Sequence, residues 1–472
     1  MATLTIRRGA QRLKVDFPSA QKLSVLLDKA GQSLAKPCGG RGVCGKCTVW
    51  LNGEAVLACQ TVVDGDADVT LPETREIMQI AQGSGKALAL RSPMQGRCGM
   101  AIDIGTTTLA ARLYDLQSGQ CTAASSMLNP QASVAADVIG RIGAALNGGA
   151  ESLRQSIEAA IHTLLHMGDQ PPESLVITGN TTMLYLLTGR NPECLSHSPF
   201  AADCLFGNES VLFDKPAYLP PCLHAFVGAD TSCALLASGM LEKDETALLC
   251  DIGTNGEIAL WHKGQLYIAS TAAGPAFEGA GISCGCGSIP GAIDRVDAAG
   301  GRLTVHTIAE EAPVGLCGSG LVDAIAALLE LEAIDETGAM DDDAYALAPN
   351  VVLTQKDVRA VQLAKAAIAA GTASLLHAAG CCAQDVTKVY IAGGFGSHLR
   401  IEKAAAIGLI LPSLADRVQV IGNAALDGAA LLLGDVSLRK RLDELAGMAQ
   451  HVRLDGNAYF SQRYVEEMLF MP

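Results

Sequence analysis

Apolar and polar residues alternate along the start of the chain, where LTIRRG and QRLKVDF read as two paired strands. Leu23, Leu26, Leu27 and Ala30 then fall on one helical face, with Ser19 placed to cap the helix and Gly31 to end it. Beyond a glycine-rich stretch, TVWLNGEAVLAC sets strand residues on both sides of Asn52-Gly53, a dipeptide that favours a tight hairpin. Two strands, a helix and two more strands is the element order of a β-grasp.

From residue 99 the pattern changes. GMAIDIGTTTLAARLYD (99–115) and ALLCDIGTNGEIALWHKG (247–264) each read as an apolar strand ending in DIGT, a polar turn and a second strand. VITGNTTMLYLLTG (176–189) and VIGNAALDGAALLLG (420–434) repeat another unit, in which a strand leads through Gly-Asn into a helix. The order is the same in both halves, which is the mark of an internal duplication. KVYIAGGFGSHL (388–399) is an apolar strand running into Gly393, Gly394 and Gly396, and the helical stretch GSGLVDAIAALLELEAI opens on Gly318 and Ser319. The alanine-rich VRAVQLAKAAIAAGTASLL reads as a core helix. Residues 73–100 mix charge, glycine and short apolar pieces and read as a linker. The expectation is an α/β multidomain protein divided at 1–73, 74–100, 101–228 and 229–472.

Composition agrees with this division. A chain of 472 residues exceeds what one core usually supports, and 49% hydrophobic residues can fill several. The net charge of −15 argues against nucleic-acid or anionic-membrane partners. The N-terminus lacks the apolar region of a signal peptide, and no run approaches the ~18 apolar residues of a membrane span, so the expected location is the cytoplasm.

Thiols stay reduced there, so closely spaced cysteines point to metal binding or redox chemistry. PCGGRGVCGKC (37–47) supplies Cys38, Cys44 and Cys47, and the hairpin delivers Cys59. Zinc ribbons usually bring two CxxC pairs on two knuckles. Here one glycine-lined loop supplies three ligands, as a loop must when its N–H groups turn inward toward cluster sulfurs. The segment resembles the plant-type ferredoxins and so implies a [2Fe–2S] cluster, with a potential of about −400 mV in the plant type. Two departures stand out: five residues separate Cys38 from Cys44, and Cys59 comes early. That spacing also resembles ferredoxin modules inside larger reductases. Of the remaining cysteines, Cys98 reads as a linker residue, and the CxC of Cys284 and Cys286 has no matching ligand pair.

At a DIGT turn, glycine (Gly105, Gly253) lets the chain reverse and its N–H groups approach phosphate oxygens. A threonine hydroxyl adds a donor, and the strand-end aspartate can hold Mg²⁺ directly or through water. Two facing copies would clamp a nucleotide triphosphate. GSGK at 83–86 is no P-loop, because Ile80 stands where that motif needs glycine and Ala87 where it needs Ser or Thr. The elements together resemble the acetate and sugar kinase, heat-shock chaperone and actin superfamily, which implies a duplicated ribonuclease H-like body around an ATP cleft. By that resemblance Asp103, Thr106 and Thr107 serve the first phosphate loop and Asp251, Thr254 and Asn255 the second. Gly318 and Ser319 open the connecting helix, and Gly393 and Gly394 serve the adenosine. Asp230 stands where sugar kinases offer a general base, and it is equally placed to cap the helix that follows.

An electron carrier fused to such an ATPase, with GPAFEGAGISCG (274–285) and GLCGSGLVDAIA (315–326), resembles the ATP-dependent reductive activators of corrinoid proteins. The resemblance implies one-electron reduction of cob(II)alamin to cob(I)alamin, a corrinoid protein of a methyltransferase system as partner, and a low-potential electron donor. The small-residue loop AGPAFEGAGISCGCGSIPGA is the candidate surface to meet the corrinoid, with Ser283 as a cobalt-facing hydroxyl, the alternative being a loop that only packs beside the phosphate site. The chain departs from larger members in leaving no room for a domain between ferredoxin and ATPase, so a homodimer stays an open expectation but not one built through such a domain. Moving one electron uphill by ~60 mV costs about 1.4 kcal/mol, so a very low-potential acceptor requires coupling to ATP. Three rival readings are an activator of the 2-hydroxyacyl-CoA dehydratase type, a redox-sensing kinase, and a regulatory protein from which no electron leaves.

Overall fold

A computed structural model describes residues 2–8, 11–30, 32, 34, 47–72, 87–242 and 245–470. The strands Ala2–Arg8 and Gln11–Phe17 pair antiparallel as the alternation predicts, and Ala2–Arg8 also pairs parallel with Ala67–Thr70. The hairpin Thr48–Leu51 and Glu54–Leu57 completes this five-stranded sheet, its turn closed by Asn52 (φ 51°) and Gly53 (φ 89°). Helix Leu23–Lys29 buries Leu23, Leu26 and Leu27 against Leu4, Ile6, Val49 and Val69. Ser19 is not its cap. Gln21–Lys22 is drawn into a short antiparallel pair with Val62–Val63, so the helix begins from Lys22 with no side-chain cap. Gly31 lies outside the described residues.

The linker is shorter than expected. Residues 73–86 lie outside the described residues, whereas the Leu88 N–H donates to the Gly119 carbonyl and Met94 to that of Leu433. Arg91 and Ser92 both donate to the Gly434 carbonyl, and the first strand of the body already begins at Cys98, a buried core residue.

The body contains two six-stranded sheets of matching plan. In the first, the DIGT strand Cys98–Ile104 pairs antiparallel with Thr108–Asp115, which pairs with Cys121–Leu128, and on its other side runs parallel to Ser174–Gly179. In the second, Ala247–Ile252 pairs antiparallel with Gly256–His262, which pairs with Gln265–Thr271, and runs parallel to Lys388–Ala392 on its other side. The two DIGT units thus occupy equivalent places, whereas the Gly-Asn units do not: Ser174–Gly179 lies beside its DIGT strand, while Val418–Gly422 is an edge strand beyond Lys388–Ala392.

Helices Ala229–Ser238 and Ala424–Gly434 lie between the sheets. Their apolar residues share one core with Ala101, Tyr114 and Val176 of the first sheet and with Leu249, Ala259 and Tyr390 of the second. The two helices approach closely at Gly428, where an added Cβ would lie 2.0 Å from the carbonyl oxygen of Cys233. The outer face of the first sheet is covered by Ala150–Leu165 and Thr181–Leu187, and that of the second by Gly318–Glu330 and Gln355–Ala379. Among the described residues no helix is long and apolar enough to cross a membrane.

Candidate active site

The two DIGT turns end at one cleft of about 240 Å³. Asp103, Gly105, Thr106 and Thr107 line it from the first turn, and Asp251, Gly253, Thr254 and Asn255 from the second. Asp230 projects from the first turn of helix Ala229–Ser238, while Gly318, Ser319, Gly393 and Gly394 close the remaining wall. Asp230 does not cap its helix, whose N-cap is Gly228; its carboxylate accepts from the Thr231 N–H at 2.7 Å.

The glycines are required by close approaches. A Cβ on Gly318 would lie 1.9 Å from the Phe277 carbonyl oxygen, and Gly393 combines φ 92° with a Cβ position 2.5 Å from the Asp251 carboxylate. Phe395, directly after this glycine pair, stacks on Phe277 with centroids 5.2 Å apart.

Ser283 is not in the cleft. It is exposed, its N–H donates to Asp357 at 2.8 Å, and its hydroxyl lies 3.1 Å from the same carboxylate and 3.2 Å from the Thr354 hydroxyl, at the capped start of helix Gln355–Ala379. From the same segment Phe277, Glu278, Cys286, Gly287 and Ser288 line the cleft. In the N-terminal domain Cys38 and Cys44 lie outside the described residues. Cys47 and Cys59 are both buried in one core, where the Ala58 N–H donates to the Cys47 carbonyl at 3.0 Å. Among the described residues no group of three or more His, Cys, Asp or Glu forms a metal site.

Several site residues carry no role in the sequence reading. The Gly-Asn repeats supply two of them. Asn180 caps helix Thr181–Leu187 and donates from its amide to the Thr106 hydroxyl at 3.0 Å. Asn423 caps Ala424–Gly434 and donates to Asp103 at 3.0 Å. The repeat was legible, but its aim at the first DIGT turn required the fold. Fully buried Arg141 donates to the Thr106 carbonyl from behind the loop, and burial lowers its pKa to about 10 against the pull of Glu278 and Asp137. Glu278 receives the Thr254 N–H at 2.6 Å and hydroxyl at 2.8 Å on one oxygen, and the Thr107 hydroxyl on the other.

The cleft gathers carboxylates in a place that disfavours their charge. Burial, reinforced by Asp230, lifts Asp103 to about 7, with Asn423 opposing. Burial and the charges of Asp230 and Glu278 lift Asp251 to about 7 as well. Burial takes Asp230 to about 6, and raises Glu257, on the strand after the second turn, well above its ordinary value. Carboxylates so placed hold protons or share a cation. Among the described residues no Lys or Arg lines the cleft. Turn N–H groups and threonine hydroxyls for phosphate, acids for Mg²⁺ and bare glycine backbone for a base form a donor set that fits a magnesium nucleotide.

The family model described as the C-terminal domain of RACo, the ASKHA domain, matches residues 245–472, and the RACo middle region matches 98–243. The corrinoid activation enzyme RamQ of Eubacterium limosum is 35% identical over 418 residues, covering 79% of this chain and 70% of that protein. The chain belongs to the reductive activators of corrinoid proteins. This family also includes the methylated amine-specific corrinoid protein reductase of Methanosarcina barkeri, 26% identical over 76% of this chain and 73% of that one. The solved reductive activator for a corrinoid, iron–sulfur protein superposes with a TM-score of 0.73 at 25% identity, covering 99% of this chain and 98% of that one. Residues 245–472 are therefore an ASKHA domain, which implies ATP and Mg²⁺.

Proposed function

We propose that the chain passes one electron to cob(II)alamin on a corrinoid protein of a methyltransferase system, regenerating cob(I)alamin at the expense of ATP. The observation that carries this reading is the meeting of both DIGT turns at one cleft in a member of this family. Residues 1–73 would form the electron-carrying domain, 74–86 the connection, and 87–228 and 229–472 the two halves of the ATPase. Cys38, Cys44, Cys47 and Cys59 would hold a [2Fe–2S] cluster, which supplies the one-electron carrier when bound. ATP supplies the free energy that the potential gap demands.

The protein's own groups divide the work. The turn N–H groups and the hydroxyls of Thr106, Thr107 and Thr254 orient phosphates, while Asp103 and Asp251 face the cation. Asp230 is placed to take a proton from water, its raised pKa near the range a general base needs. The segment 274–290 offers the surface for the corrinoid protein, with Ser283 exposed on it.

The test mixes the chain anaerobically with a cob(II)alamin-loaded corrinoid protein, a low-potential reductant and Mg-ATP, and follows the cob(I)alamin absorbance. ATP-dependent growth abolished by both Cys44→Ser and Asp251→Ala is expected. No growth while the cluster still reduces and ATP still binds would refute the reading.

A further inference from the structure

Glu278 occupies an unusual position for a carboxylate. It takes the N–H and hydroxyl of Thr254 in the second DIGT turn and the hydroxyl of Thr107 in the first, 171 residues earlier. These are the donors that a phosphate between the two turns would use, and a carboxylate accepting charge-assisted hydrogen bonds from them is itself a phosphate mimic. A phosphate and this carboxylate cannot share the same three donors, and their like charges repel.

The residue is also mechanically connected. It ends the short turn Pro275–Glu278, which is bracketed by Gly274 (φ 79°) and Gly279 (φ 73°), both in the left-handed region that glycine adopts readily. Gly279 abuts the other end of the following loop, since a Cβ there would lie 2.3 Å from the Cys286 carbonyl oxygen. Residues 284–286 are pinned in turn by reciprocal bonds of 2.8 Å between Cys286 N–H and the Leu316 carbonyl and between Leu316 N–H and the Cys284 carbonyl. Phe277, on the same turn, stacks on Phe395 beside the adenosine glycines. Movement of Glu278 is thus transmitted to both ends of the cleft and to the loop after it.

We propose that nucleotide phosphates displace Glu278 from the two DIGT turns, and that the displacement shifts residues 279–290, coupling occupancy of the cleft to the face offered to the corrinoid protein. The inference rests on the nucleotide reading above. In such a scheme the bound carboxylate lowers apparent nucleotide affinity by the fraction of molecules it holds closed.

The test uses the full-length chain and the non-hydrolysable nucleotide Mg-AMPPNP. Binding is read by calorimetry and loop motion by amide hydrogen exchange. Glu278→Ala is expected to bind at least tenfold more tightly than the unaltered chain. Glu278→Gln, which keeps the shape and an acceptor but loses the charge, is expected to fall between. Nucleotide should raise exchange across 279–290 in the unaltered chain, while in Glu278→Ala exchange should be raised already. A residue serving only the fold would weaken binding when removed. Equal or weaker binding by both variants, or exchange across 279–290 that nucleotide leaves unmoved, overturns the proposal. Failure of the unaltered chain to bind nucleotide overturns the ATP reading itself, and this proposal with it.

Discussion

Gly428→Ala sets two principles against each other. In an isolated helix alanine is favoured over glycine by ~1 kcal/mol, so propensity alone predicts a more stable protein. In the structure, the added Cβ would sit 2.0 Å from a backbone oxygen of Cys233, and ordinary contact begins near 3.4 Å, so helix Ala424–Gly434 must retreat by about 1.4 Å from helix Ala229–Ser238. No side chain can rotate away, because the obstacle is main chain in a fully buried helix contact. Overpacking of this kind costs ~3 kcal/mol, which leaves a net loss of about 2 kcal/mol and lowers Tm by roughly 2 °C in a chain of this size. The same retreat separates Asn423 from Asp103 and moves Asp230, so Mg-nucleotide affinity should fall together with Tm. Scanning calorimetry with and without Mg-AMPPNP gives both numbers. A Tm that rises, or that is unchanged with unaltered affinity, would show that the glycine is a matter of propensity and that the two halves are not held in register here.

Three further outcomes are expected. Asn423→Asp keeps the helix cap but turns a donor to Asp103 into a like charge, so the acidic limb of the ATPase pH profile should move to higher pH; Asn423→Ala should in addition lose about 1 kcal/mol of cap stability. Asp251 holds its proton to about pH 7 in the fold against 3.8 ordinarily, so between these values the folded state binds more protons and stability falls as pH rises. Asp251→Asn should therefore gain Tm relative to the unaltered chain at pH 8 and lose that gain near pH 4, which thermal melts across the range would check. Gly393→Ala forces a side chain onto φ 92° and toward the Asp251 carboxylate, and nucleotide titration should show affinity reduced at least tenfold.

Much of the cleft was legible because its chemistry is written in short contiguous words. DIGT carries an acid, a reversing glycine and a hydroxyl within four residues, and its repetition named both walls. Glu278 carries no such signal: a single glutamate in PAFE acquires meaning only when Thr107 and Thr254 are brought to it from different strands. Arg141 reads as an ordinary charge on a helix until the loop carbonyl of Thr106 is found above it. Ser283 reads as a free hydroxyl in its loop, whereas in the fold the Thr354–Asp357 capping box engages it. Ser19 failed as a cap because tertiary pairing of Gln21–Lys22 overrode a local preference.

The helix Ala424–Gly434 seals the inner face of a sheet whose strands lie between Cys98 and Leu219. A ribosome releases those strands long before it reaches Ala424. Through most of synthesis the first half must wait with that face covered only by the shorter reach of helix Ala229–Ser238. The gene for such a protein resists being divided between its two repeats, even though duplication of one repeat is how its plan reads.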